Sequence, residues 1–234
     1  MSTETAVVLP DDETLKQLAL HGYEPNGPKR DTDRPILICD VDEVVLHLVD
    51  PFVEVIEERG YELRTRAFKL TGNVFHRETG EEATQAQVWE GLTQLFEEQE
   101  SRQGLVDGVV DGLAHVAEHA DIVFLTNMPH PFADIRRRHL TAEGLHYPLI
   151  TNMGSKLPAI NLIEAQRNAK VAFVDDTPRN LRDVANGNDR IQLFHFMAND
   201  DFRKLAGEIE GAQFSSGDWA HAAPLMVAHM VENT

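Results

Sequence analysis

The sequence has a single cysteine, Cys39, in 234 residues. Without a second thiol, an internal disulfide framework and a cysteine-based zinc cluster are excluded. Cys39 lies in an apolar run and reads as a small buried hydrophobe. No apolar run approaches the roughly 20 residues that a bilayer-spanning helix needs. The first residues, Met1-Ser2-Thr3-Glu4-Thr5, show neither the basic stretch nor the apolar segment of a signal peptide. A cytoplasmic protein without membrane contact is therefore the expectation. Cations are also scarce, with 21 Lys and Arg against 39 Asp and Glu and a net charge of -18. Such a chain has little positive charge to lay along a phosphate backbone, so a nucleic-acid polymer is not an expected partner. Internal repeats and low-complexity tracts are absent.

The rest is ordinary for a globular chain: 42% hydrophobic and 26% charged residues. The length suggests one domain, or one domain with an insertion. Residues 1–34 are polar and carry Pro and Gly, with a short helix expected from about Asp12 to His21. Pro35-Ile36-Leu37-Ile38-Cys39 then reads as a short buried strand. Residues 50–104 differ in pattern from the second half of the chain. They hold a helix from Pro51 to Gly60, a hairpin-like stretch from Leu63 to Phe75, and a capping box at Thr84 and Gln87 that opens another helix. From Asp107 onward, helices alternate with short apolar strands at Asp121–Asn127, Pro148–Thr151, Lys170–Asp176 and Ile191–Met197, the last strand expected. Two more helices come after it, near Asp201 to Ile209 and near Trp219 to Val231.

Short continuous apolar strands alternating with helices indicate an α/β chain whose parallel sheet is covered on both faces. In such sheets a ligand sits outside the carboxyl ends of the strands, near a switch in strand order. Three pairs of polar residues fall at those ends: Asp40 with Asp42, Thr126 with Asn127, and Asp175 with Asp176. Lys156 stands at a loop-to-helix junction facing the same edge. Strand alternation would let Asp40 and Asp42 leave the first strand on one side. Adjacent carboxylates repel, and four of them against one lysine make a bound cation the economical explanation. Each piece also has a plainer reading: an acidic turn, a strand-end cap, a solvated lysine, or a cap for the helix at Thr177-Pro178.

Taken together, these motifs resemble the haloacid dehalogenase-like (HAD) superfamily, and in particular its phosphatases. Asp40-x-Asp42-x-Val44 resembles the first motif and Phe124-Leu125-Thr126-Asn127 the second. Lys156 resembles the third, and Val171-Ala172-Phe173-Val174-Asp175-Asp176 the fourth. The resemblance covers about residues 35–197. It implies a Rossmann-like three-layer sandwich with a mostly parallel sheet, plus a small α+β or helical cap. The core would comprise residues 35–49 and 105–234, the cap residues 50–104, and an N-terminal extension residues 1–34. One departure is Glu43, where many members carry glycine. A longer acidic side chain there is expected to crowd or acidify the pocket.

The implied activity is Mg²⁺-dependent hydrolysis of a small phosphorylated metabolite or nucleotide through a phosphoaspartate. Asp40 would be the nucleophile and Asp42 the acid and base. Thr126, the Asn127 backbone N–H and Lys156 would hold the phosphoryl group. Asp40, the Asp42 carbonyl and Asp175 would bind Mg²⁺, with Asp176 ligating directly or through water. A phosphotransferase, a dehalogenase or a non-catalytic metal-binding domain are the alternatives, and Asp42 speaks against the dehalogenase. His47 and His130 lie near the motifs. Arg64, Arg66, Lys69, His76, Arg77 and Trp89 are candidates for a substrate pocket. Met226 and Met230 read as core or homodimer packing.

Overall fold

A computed structural model describes residues 8–30 and 33–231. Helix α1 (Asp12–Leu20) precedes strand β1 (Ile36–Cys39). Next come α2 (Val49–Glu58), the hairpin strands β2 (Tyr61–Leu63) and β3 (Val74–His76), α3 (Gln85–Glu97) and the single turn α4 (Gln99–Arg102). Beyond them the elements alternate: α5 (Val109–His119), β4 (Asp121–Asn127), α6 (Ala133–Ala142), β5 (Leu149–Asn152), α7 (Leu157–Ala165), β6 (Val171–Asp175) and α8 (Pro178–Gly187). The chain continues through β7 (Ile191–Phe196), α9 (Asp200–Ala206), β8 (Ala212–Ser216) and α10 (Trp219–Val231).

Six strands form one sheet in the order β5-β4-β1-β6-β7-β8, and every pairing is parallel. Strand β1 lies between β4 and β6, so the order reverses at its carboxyl end. Side chains of β1 alternate between two cores, as a strand requires. Leu37 and Cys39 join Leu113 and Val116 of α5 and Trp219, Met226 and Met230 of α10. Ile36 and Ile38 join Ile160 and Ile163 of α7 and Leu181 and Val184 of α8. The result is a three-layer α/β sandwich. Helices α5 and α10 meet at Gly112, where a Cβ would come within 2.7 Å of the Trp219 ring. Met226 and Met230 are fully buried in this layer, which makes them core rather than dimer contacts.

One feature differs from the sequence expectation and another goes beyond it. β7 is not the last strand, because β8 adds a parallel edge beside it. Helix α1 lies where the sequence placed it, and it also contacts the sheet. Its Gln17 amide oxygen accepts the Thr151 N–H at 2.8 Å, and its Thr14 hydroxyl donates to the Thr151 carbonyl at 3.0 Å. Side chains of α1 thus satisfy the open edge of β5, which would otherwise invite another strand.

Residues 49–97 pack around a separate apolar cluster. Phe52, Val55 and Ile56 of α2 meet Val74 of β3 and Val88 and Leu95 of α3. Thr84 caps α3 through the reciprocal bonds with Gln87 that the sequence indicated. This unit is fastened to the sheet by Glu43. Glu43 has φ 61°, in the left-handed region that disfavours a side chain. Its carboxylate is turned away from the strand ends and accepts three backbone N–H groups: Leu48 at 2.7 Å, Val49 at 2.6 Å and Asn199 at 2.9 Å. One side chain therefore caps the starts of both α2 and α9. The expected crowding of the pocket does not occur.

Glycine would relieve the left-handed strain by about 1–2 kcal/mol, but it would strip three donors of their acceptor at about 1–3 kcal/mol for each that stays buried. We expect Glu43→Gly to lower the unfolding free energy in urea by about 2–4 kcal/mol. A variant as stable as the parent would contradict this account of Glu43.

Candidate active site

The carboxyl ends of β1, β4 and β6 bring the motif residues together. Asp40 follows β1 directly, and its N–H still donates to the Val174 carbonyl at 3.0 Å. Then the chain turns sharply. The Val41 carbonyl accepts the N–H groups of Val44, Val45 and Leu46. The buried Trp219 indole donates to the Val44 carbonyl at 2.8 Å and clamps this turn. Asp42 is therefore presented by a turn and not by strand alternation.

Lys156, 1% exposed, stands between two carboxylates. Its ammonium lies 2.8 Å from Asp40 Oδ1 and 2.7 Å from Asp175 Oδ2. Asp175 is otherwise engaged, accepting from Thr177 N at 2.8 Å and from the Asn180 amide at 3.0 Å. Asp40 Oδ1 also accepts the Val41 N–H at 2.7 Å, while Oδ2 takes no hydrogen bond among the described residues. Asp40, Asp175 and Asp176 offer oxygens within 4.8 Å of one another.

The charges show the strain of this arrangement. Burial raises the Asp40 carboxyl, Lys156 pulls it down and Asp175 raises it, and the balance leaves it at about 7. Asp176 is raised well above the usual carboxylate range by burial, then by the charges of Asp175, Asp40 and Glu43. Glu43 thus adds negative charge near the site, although it does not line the cavity. Lys156 is raised despite its burial, because Asp175 and Asp40 both favour its charge. Opposite these groups the Thr126 hydroxyl is buried and has no hydrogen-bond partner among the described residues. Asn127 turns its side chain to Gly154 and Asn152 at 2.8 Å each, which ties the loops after β4 and β5 together.

Asp42 has a partner that the sequence reading missed. Arg136 of α6 is fully buried, and its guanidinium lies 3.0 Å from Asp42 Oδ1. Gln103 donates to the same oxygen at 2.9 Å, and Arg136 donates in turn to Gln103 at 3.0 Å and to Gln99. Arg136 stands four residues from both Phe132 and Leu140, on the inward stripe of its helix. A charge on an apolar stripe is the signal that would have found it. His195 is a second missed residue. Buried on β7, it takes Ser215 Oγ at 2.7 Å and reaches the Asp176 carbonyl at 2.9 Å, fixing the loop after β6. Burial lowers its pKa, consistent with a neutral ring there.

A cavity of about 460 Å³ opens over this edge. Asp40, Asp42, Thr126, Asn127 and Asp176 line its floor, and Trp89 of α3 reaches it from above. The other pocket candidates lie elsewhere. Arg64 and Arg66 stack on Phe75 at 4.6 and 4.8 Å, Arg77 pairs with Glu57, and His76 packs against Tyr61. Lys69 and His47 are not among the lining residues. His130 reaches Thr151 at 2.7 Å and Asp11 at 3.0 Å, joining the loop after β4 to α1.

Removing one member of a buried ion pair strands the other, at about 3–5 kcal/mol. We therefore expect Arg136→Met and Asp42→Asn each to lower stability in urea. The double variant should lose less than their sum, with a coupling of at least about 1 kcal/mol. Strict additivity would show that the pair carries no energy.

No protein-family model and no curated protein matches the sequence. Solved structures do resemble it. A HAD hydrolase of family IA, variant 3, from Entamoeba histolytica superposes with a TM-score of 0.60 at 13% identity, covering 86% of this chain and 100% of that one. YfnB from Bacillus subtilis, bound to magnesium, gives 0.57 at 13% identity over 83% of this chain and 99% of its own. A HAD family hydrolase from Deinococcus radiodurans R1, with bound phosphate and sodium, gives 0.53 at 13% identity over 86% and 98%. Across nearly the whole length of these proteins, the chain has the haloacid dehalogenase-like fold.

Proposed function

We propose that the chain is a Mg²⁺-dependent phosphatase of the HAD superfamily that cleaves a small phosphomonoester through a phosphoaspartate on Asp40. The observation that carries this reading is the state of Asp40. One of its oxygens is held by Lys156 and the Val41 N–H, and the other is bare at the floor of the cavity. A carboxylate fixed in this way is oriented for attack. The magnesium and the phosphate bound by two structures of the same fold agree with it.

The donor set suits a hard divalent cation. All available donors are oxygens, and three carboxylates crowd within 4.8 Å against a single ammonium. Asp40 and the Asp42 carbonyl would hold the ion. Asp176 would be the direct carboxylate of the fourth motif, because Asp175 is already committed to Lys156, Thr177 and Asn180. When bound, the ion supplies positive charge to offset that of the phosphoryl oxygens.

The chain's own residues account for the rest. The Thr126 hydroxyl, the Asn127 N–H and Lys156 hold phosphoryl oxygens. Asp40 attacks phosphorus, forming an O–P bond as the ester P–O bond breaks. Asp42 gives its proton to the departing alcohol. It then takes one from the water that attacks the acyl phosphate, which releases phosphate and restores Asp40. The Arg136–Gln103 pair aims the Asp42 carboxyl during both transfers. Residues 50–104 act as a cap on a core of residues 35–49 and 105–234, closing over the site and limiting substrate size. Residues 1–34 form an extension whose helix α1 covers the β5 edge.

Hydrolysis of p-nitrophenyl phosphate tests this reading. We expect turnover with Mg²⁺, its loss on addition of EDTA, and a fall on the order of a thousandfold or more in Asp40→Asn. Turnover that survived either change would contradict the mechanism.

A further inference from the structure

Helix α3 carries two apolar stripes, and the core of the insertion is built on the first. Val88, Gly91 and Leu95 face α2, where a Cβ at residue 91 would come within 3.1 Å of Phe52. Trp89, Leu92 and Phe96 repeat at the same helical spacing on the next face, and all three line the cavity over Asp40. Phe96 and Leu92 are held in place by packing, Phe96 against the Phe132 ring at 5.8 Å. Trp89 is 47% exposed at the mouth. An exposed tryptophan in line with two cavity-facing apolar residues is a surface prepared for something flat.

The composition of this wall decides what that is. Between residues 43 and 104 the lining is Leu48, Leu70, Trp89, Leu92 and Phe96, all apolar. The Trp89 indole N–H is the single polar group among their side chains. Apart from that N–H, the charged and hydrogen-bonding side chains of the lining come from the sheet edge and the loops and helix beside it, and Arg179 is the one cation among them. A polyol leaving group would give up water against this wall and find almost no partner in exchange. An aromatic ring gives up little water and gains stacking on Trp89.

We infer that the substrate is a phosphomonoester whose leaving alcohol carries an aromatic ring, which lies against Trp89 and Leu92 while the phosphoryl group sits at Asp40 and Thr126. This rests on the phosphatase reading. It narrows the substrate class to aromatic esters, whether the ring is joined directly, as in a benzyl ester, or through a sugar, as in a nucleoside monophosphate.

The test compares benzyl phosphate, uridine monophosphate, hexyl phosphate, glycerol phosphate and acetyl phosphate with Mg²⁺, using the full chain, Trp89→Ala and Trp89→Phe. We expect kcat/KM for a ring-bearing ester to exceed that for hexyl and glycerol phosphate by about tenfold or more. Trp89→Ala should raise KM for the ring-bearing ester about tenfold and narrow that ratio, and Trp89→Phe should restore most of it. Which of the first two esters leads distinguishes the direct from the sugar-linked ring. Binding is read separately by tryptophan fluorescence. Trp219 is fully buried, so benzylphosphonate should quench the parent chain and not Trp89→Phe, and methylphosphonate should quench neither. Glycerol phosphate turned over as well as the ring-bearing esters would overturn the inference, as would an equal loss on every substrate in Trp89→Ala. Failure to hydrolyse any of the esters or the acyl phosphate would overturn the phosphatase reading instead, and quenching by benzylphosphonate would then still support the aromatic wall.

Discussion

One buried ammonium holds the strand ends together. Lys156 lies within 2.8 Å of Asp40 and 2.7 Å of Asp175, and these carboxylates follow or end two adjacent strands of the parallel sheet. Without it, β1 and β6 would bring unscreened negative charges to one edge, in a chain whose net charge is already -18. Even with it, the carboxyls of Asp40 and Asp176 are raised. Three carboxylates face a single ammonium there, an imbalance that a divalent cation would offset. Stability and chemistry thus draw on the same contact, because the lysine that makes the cluster tolerable also fixes the oxygen opposite the bare one.

The surrounding residues extend the same economy. Asp42 sits beside this cluster but is anchored in another direction, by Arg136 of α6 and by Gln103 of the loop between α4 and α5, and Arg136 is held in turn by Gln99 of α4. Separating the two aspartates in this way lets one be held by Lys156 while the other is held by Arg136 and Gln103. Glu43 links the same turn to the starts of α2 and α9.

Much of this was legible in the sequence, for identifiable reasons. Continuous apolar runs gave the strands β4, β6 and β7, since a strand buried on both faces has no alternation to hide it. The capping box gave the start of α3. The gathering of Asp40, Thr126, Lys156, Asp175 and Asp176 followed from the rule that ligands collect at strand carboxyl ends. Strand β8 was missed because Ala212-Gln-Phe-Ser-Ser216 is an edge with only Ala212 and Phe214 packed on the two cores, so it lacks an apolar run. Arg136 and His195 were missed because burial of a polar side chain depends on partners distant in sequence. Glu43 was misjudged because only the backbone shows that its side chain points toward two helix starts. Of the cationic and aromatic candidates in the insertion, Trp89 alone reaches the cavity. A charged residue on a small unit is more often solvated or paired locally, as Arg64 and Arg77 are.

The most direct measurement is acid-quench mass spectrometry of the chain mixed with acetyl phosphate and Mg²⁺. We expect a peptide containing Asp40 to gain the mass of one phosphoryl group, in an acyl linkage that hydroxylamine removes. We expect no such gain in Asp40→Asn. A phosphoryl group found on another residue, or turnover in which no phosphorylated peptide forms, would contradict the central role given to Asp40.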